Sequence, residues 1–193
     1  MTRCDRGPCG SERVCRGLAA WLASWLALAF WGCAASVAPT AATPEPAAED
    51  AIVLGPAPFF EFLALDGAKI SSDESRGRST ILLFLTTFGG ASQAQARFLT
   101  DVAHAHVPRT NCYAIFTELK ENRPLVEMFV EMLHMGIPVA HVAYSDLKDG
   151  PFSDVVAAPT LVVLDGGGHR VWRKTGVVKR EEIEAVLVRI EGR

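Results

Sequence analysis

The feature that most constrains this chain is the stretch 80–87, which reads TILLFLTT. Its apolar run is unbroken, and it is short. A strand with one wet face alternates apolar and polar residues, whereas an unbroken run suits a strand covered on both faces. A chain built around such a strand must fold in layers, with a sheet in the middle.

The neighbouring segments supply the other layers. Residues 59–72, FFEFLALDGAKISS, alternate around an Asp66-Gly67 turn and predict a hairpin. From 91 to about 105, Ala94, Phe98, Val102 and Ala105 recur at helical spacing and predict a helix with those residues inward. CYAIFTE (112–118) reads as a second buried strand. NRPLVEMFVEMLHMG (122–136) reads as a helix, with Pro124 in its first turn and Gly136 at its end. IPVAHVAY (137–144) and TLVVLD (160–165) are further strands. Gly166-Gly167-Gly168 then turns the chain tightly into HRVWRKTG (169–176), which predicts an antiparallel hairpin. KREEIEAVLVRI (179–190) reads as a closing amphipathic helix. Alternating β and α units imply a partly parallel sheet with helices on both faces, and the last hairpin makes that sheet mixed.

The first 57 residues are of another kind. Polar, Arg-rich residues lead into GLAAWLASWLALAFWGCAAS (17–36). The uninterrupted apolar part, 18–31, is short for a bilayer span of about 20 residues and suits the core of a secretory signal. Gly32-Cys33 followed by Ala34-Ala35-Ser36 resembles a bacterial lipobox, with lipid attached to Cys33, although Phe30 and Trp31 depart from that pattern. Three outcomes stay open: a lipoprotein anchored at Cys33, an uncleaved membrane anchor through Val37, and ordinary signal cleavage. Residues 34–57 are rich in Ala and Pro and follow no helical or strand period, as in a disordered tether. The domain organisation is therefore a signal or lipoprotein segment (1–33), a tether (34–57) and one folded domain (58–193).

Charge and cysteines narrow the function. The net charge is −3, and residues 1–33 hold four Arg against Asp5 and Glu12, a net +2, so the rest carries −5. Without clustered Lys and Arg the chain lacks a nucleic-acid footprint. Cys4, Cys9, Cys15 and Cys33 lie in the first segment, and Cys112 alone lies in the domain, which excludes a disulfide framework inside it.

The order and spacing of four pieces resemble the thioredoxin-like superfamily over about 59–190. The branch is that of the TlpA/ResA-type thiol-disulfide oxidoreductases, related to AhpC/TSA domains. The pieces are FFEFLALDGAKISSDESRGRSTILLFLTTF, RPLVEMFVEMLHMGIPV, AAPTLVVLDGGGHRVWRKTG and KREEIEAVL. The resemblance implies a three-layer α/β fold with a central mixed sheet, flanking helices and an N-terminal hairpin. It also implies a cis-proline at Pro159, followed by Thr160.

The family's chemistry needs Trp-Cys-x-x-Cys between the first core strand and the next helix. There the helix N-terminus lowers the pKa of the first thiol, and the second thiol resolves the mixed disulfide. Here Phe88 stands at that Trp, Gly89 at the attacking Cys and Ser92 at the resolving Cys, with Gly90 and Ala91 between. No thiol is present, and a serine hydroxyl needs an adjacent base to act as a nucleophile. What the turn offers instead is a helix N-terminus whose glycines let a ligand approach the backbone. In relatives the segment corresponding to Ala157-Ala158-Pro159-Thr160 pairs with a substrate backbone. The resemblance implies an exported thiol-disulfide oxidoreductase; the missing thiols point instead to an exported binding or assembly module without dithiol activity and without a cofactor, whose partner is a peptide or envelope protein. A tolerated, merely structural loop is the competing reading.

Two further readings are weighed. Redox chemistry could rest on Cys112, although a cysteine in a buried strand needs no role beyond filling space. Copper could bind through Met128, Met132 and Met135 with His134, or through His104 and His106, since thioethers and imidazoles suit it. The same Met spacing is how a helix presents a core face, and His169 falls in the wrong turn for a copper site.

Overall fold

The computed structural model describes residues 55–191. The signal segment, Cys33 and nearly all of the 34–57 tether lie outside the described residues. Among the described residues no helix is long and apolar enough to cross a membrane.

The hairpin forms as expected: β1 (Glu61–Leu63) pairs antiparallel with β2 (Lys69–Ser71). A single turn, α1 (Ser72–Ser75), follows, its N–H of Glu74 capped by the Ser71 hydroxyl at 3.3 Å. The unbroken apolar run becomes β3 (Ser79–Leu85), and every one of its residues is buried. After it come α2 (Gly90–His106), β4 (Thr110–Thr117), α3 (Arg123–Met132), β5 (Val139–Val142), the short α4 (Tyr144–Leu147), β6 (Thr160–Leu164), β7 (Arg170–Thr175) and α5 (Arg180–Glu191).

The sheet order is β5-β4-β3-β6-β7. β3, β4 and β5 run parallel, while β6 is antiparallel to β3 and β7 to β6. The strand with the unbroken apolar run is thus the middle one, which is why both its faces are covered. On one face Ile81, Leu83 and Leu85 pack with Leu99 of α2, Phe129 of α3 and Ile183 of α5. On the other, Leu82 and Phe84 meet Phe60, Ile70, Leu147 and Phe152. The rings of Phe84 and Phe152 lie 5.0 Å apart, and those of Phe60 and Phe152 5.6 Å. The three long helices therefore share one face, and the hairpin, α4 and the 152–155 segment form the third layer. Arg170 fastens that segment, donating to both carboxylate oxygens of Asp154 at 3.1 and 2.7 Å. Partial burial opposes the charged Asp154 carboxylate, but the hydrogen bonds and charges of Arg170 and Arg173 outweigh it and hold its pKa below the usual value.

Three local expectations change. The inward face of α2 is Ser92, Gln95, Ala96, Leu99, Val102 and Ala103, so only Val102 of the expected quartet is buried. Two polar side chains on the true face hid it from an apolar count. The Met spacing of α3 does not mark its core face either: Val126 and Phe129 are buried, whereas Met128 and Met132 are exposed. The helix also ends earlier than Gly136. His134 takes the left-handed backbone (φ 49°), with its N–H bonded to Glu131 O at 3.1 Å.

Candidate functional site

The turn after β3 is built from both of its neighbours. Leu85 ends a fully buried strand, and α2 starts at Gly90, with Gly89 as its N-cap at φ 100°. That backbone is open to glycine and costly for any residue with a Cβ. No side chain caps the helix, and its first turn holds no acidic residue. Phe88, Gly89, Gly90 and Ala91 are exposed, and a Cβ added at Gly89 or Gly90 would meet nothing within 4 Å. The turn is an open shelf of donor N–H groups.

Beneath the shelf lie groups that patterning did not find. Ser92 is buried, and its Oγ accepts from Thr86 N–H at 3.4 Å. It is held as a structural acceptor and has no basic partner. Gln95 is fully buried; its Oε1 accepts from Val178 N–H at 2.6 Å, while its Nε2 has no hydrogen-bond partner. Glu118, at the end of β4, is also buried, and its carboxylate accepts from the Thr87 N–H, the Thr87 hydroxyl and Asn122 Nδ2. A signal for Gln95 did exist: it sits three residues after Ser92 and four before Leu99, at core-face spacing. Glu118 had none, because only the alignment of β4 beside β3 brings it to Thr87.

The second wall of the site follows from register. Thr160 lies opposite Phe84, so the 157–159 segment leaves the sheet beside the end of β3. The Ala158–Pro159 bond is cis, as is Val107–Pro108. Ala157 and Ala158 are exposed, and Pro159 and Thr160 are buried. The Thr160 hydroxyl donates to Ala157 O at 2.7 Å, and Gly176 N–H to Pro159 O at 2.8 Å. The sheet thus brings the Phe88–Ser92 turn and the Ala158–Thr160 segment to one end.

The competing candidates are placed elsewhere. Cys112 lies buried in β4 opposite Ile81, and burial pushes its thiol up to about 12. A thiol so protonated is a poor nucleophile and a poor metal ligand. His104 lies beside Gly136, His106 reaches toward Glu184 at 3.9 Å, and His169 is 3.4 Å from Asp165. Met135 is buried, apart from the exposed Met128 and Met132. Among the described residues no group of three or more His, Cys, Asp or Glu is placed to hold a metal.

No protein-family model matches the sequence, and no curated protein matches it. Solved structures do. StoA from Bacillus subtilis is 19% identical with a TM-score of 0.57, over 67% of this chain and 96% of its own. A secreted disulfide oxidoreductase of Mycobacterium tuberculosis is 20% identical with a TM-score of 0.57, over 67% and 95%. The exposed lipoprotein thioredoxin of Streptococcus pneumoniae is 16% identical with a TM-score of 0.60, over 68% and 98%. At these identities the likeness speaks to architecture, and with the strand order and hairpin above it establishes that this chain has the thioredoxin-like fold.

Proposed function

We propose that this chain is a binding module of a bacterial envelope, tethered through its N-terminal segment. It holds an extended peptide of a partner protein between the 88–92 turn and the 157–160 segment, and it carries out no dithiol exchange. One observation carries the reading: the open, uncapped N-terminus of α2 beside the Ala157–Ala158 backbone, with Gly89 and Ser92 where a dithiol would stand. The likeness to a secreted oxidoreductase and to an exposed lipoprotein supports an extracytoplasmic setting.

The test is redox turnover by the purified full-length chain. It should neither reduce insulin nor form a mixed disulfide with a trapping substrate. Turnover above a buffer blank that persists in Cys112→Ser would overturn the reading. Turnover abolished by Cys112→Ser would replace it with a single-cysteine mechanism.

A further inference from the structure

The last strand of the sheet, β7, pairs with β6 on one side and with no strand of the described residues on the other. An edge of this kind presents a row of N–H and C=O groups that another extended segment can join. The start of that edge already has a neighbour. Gly55 N–H donates to Arg170 O at 3.3 Å, and a Cβ on Gly55 would lie 3.8 Å from the Arg170 Cβ. Two residues on, the Ala57 Cβ lies 3.7 Å from the position a Cβ on Gly168 would take. As the chain advances from 55 to 57, its neighbour falls back from 170 to 168. The two segments therefore run antiparallel.

That direction points the preceding residues along β7, from Arg170 toward Thr175. At about 3.3 Å per residue, 51–55 match nearly the whole length of Arg170–Thr175. The residues suit the place. Positions 51–54 read Ala-Ile-Val-Leu, a run rich in β-branched and large apolar side chains. Gly55 lies on the face of β7 that carries Arg170, so alternation puts Val53 on that face and Ile52 and Leu54 on the other. That other face carries Val171 and Trp172, both buried in the core beneath the long helices. Glu49 and Asp50 precede the run, whereas β7 holds Arg170, Arg173 and Lys174, so the charges are complementary.

We infer that residues 51–54 form a sixth strand, antiparallel to the outer edge of β7, with Ile52 and Leu54 on the Val171–Trp172 face. The occupant of this edge is the chain's own segment and not the strand of a partner. It covers an edge that another chain could join, and it delivers the tether to the end of the sheet that holds Pro159 and the 88–92 turn. The inference does not depend on whether that turn binds a peptide.

The test is amide hydrogen exchange, read by NMR on the purified full-length chain. Gly55 N–H faces β7, so that of Val53 faces it too, and those of Ile52 and Leu54 face away. Corrected for sequence, Val53 should exchange at least about tenfold more slowly than Ile52 and Leu54. Nuclear Overhauser contacts from 51–53 should reach 173–175. On β7, Gly176 N–H faces Pro159 O, so by alternation Arg173 N–H faces outward. Val53→Pro removes an N–H and should speed exchange at Arg173 about tenfold. Val53→Thr, which keeps the N–H and suits a strand, should not. Val53 exchanging as fast as its neighbours, contacts from 51–53 that miss 173–175, or an Arg173 amide indifferent to Val53→Pro overturns the inference. Protection that rises with protein concentration, with contacts between copies, assigns the edge to a second copy and overturns it as well.

Discussion

The Thr87 hydroxyl and the Glu118 carboxylate meet at 3.1 Å across 31 residues of sequence, and the same carboxylate accepts from the Thr87 N–H. This contact ties the turn after β3 to the end of β4. Glu118→Ala would leave a partly buried N–H and hydroxyl without an acceptor, at a cost of about 1–3 kcal/mol. Glu118→Gln keeps one acceptor oxygen and should cost less. Urea unfolding of both variants checks this, and equal stabilities would show that the contact contributes nothing.

Gly89 and Gly90 are adjacent, and both have room for a side chain, yet they should respond differently. Gly89 sits at φ 100°, whereas Gly90 has no such constraint. Gly89→Ala should therefore cost about 1–3 kcal/mol through backbone strain. Gly90→Ala should be neutral or slightly stabilising, because alanine favours the helix that begins there. Paired thermal melts are the measurement.

Cys112 should behave as an inert thiol. Its pKa is pushed to about 12 by burial, against an ordinary value of 9.0. Iodoacetamide at mildly alkaline pH should label it only after unfolding. The linkage has a definite sign. Between the two values the unfolded thiol loses its proton while the native one keeps it, so the thiol's contribution is fully present below the ordinary value and is lost as pH rises. The slope is about 1.4 kcal/mol per pH unit. Cys112→Ala should flatten that alkaline limb relative to the parent. Superimposable pH curves would contradict the burial of this thiol.

Anchoring is testable through Cys33. If it carries lipid, a fatty-acid analogue should label the full chain, and Cys33→Ser should abolish the label and leave a larger, unprocessed form. No label on the parent would favour an uncleaved anchor or simple secretion.

Much of the architecture was legible because its signals are local. The unbroken run at 80–87 places β3 between two layers, and Asp66-Gly67 and Gly166-Gly167-Gly168 each turn one strand back on another. The missing thiols at Gly89 and Ser92 were also plain from the residues alone, since no packing can supply a sulfur.

The inward face of α2 and the partners of the turn were not local. Ser92 and Gln95 are buried because the β7–α5 connection offers Val178 N–H to Gln95 and the end of β3 offers Thr86 N–H to Ser92. A polar residue on a helix reads as outward until such a partner comes into view. Glu118 likewise reads as an ordinary end-of-strand charge. By itself the sequence determined the strand and helix types, their order and the lack of a thiol at residues 88–92, because periodicity, turn residues and side-chain chemistry act over a few neighbours. Only the tertiary structure decided which polar groups lie beneath the turn, because hydrogen-bond satisfaction and burial depend on strands that meet across dozens of residues.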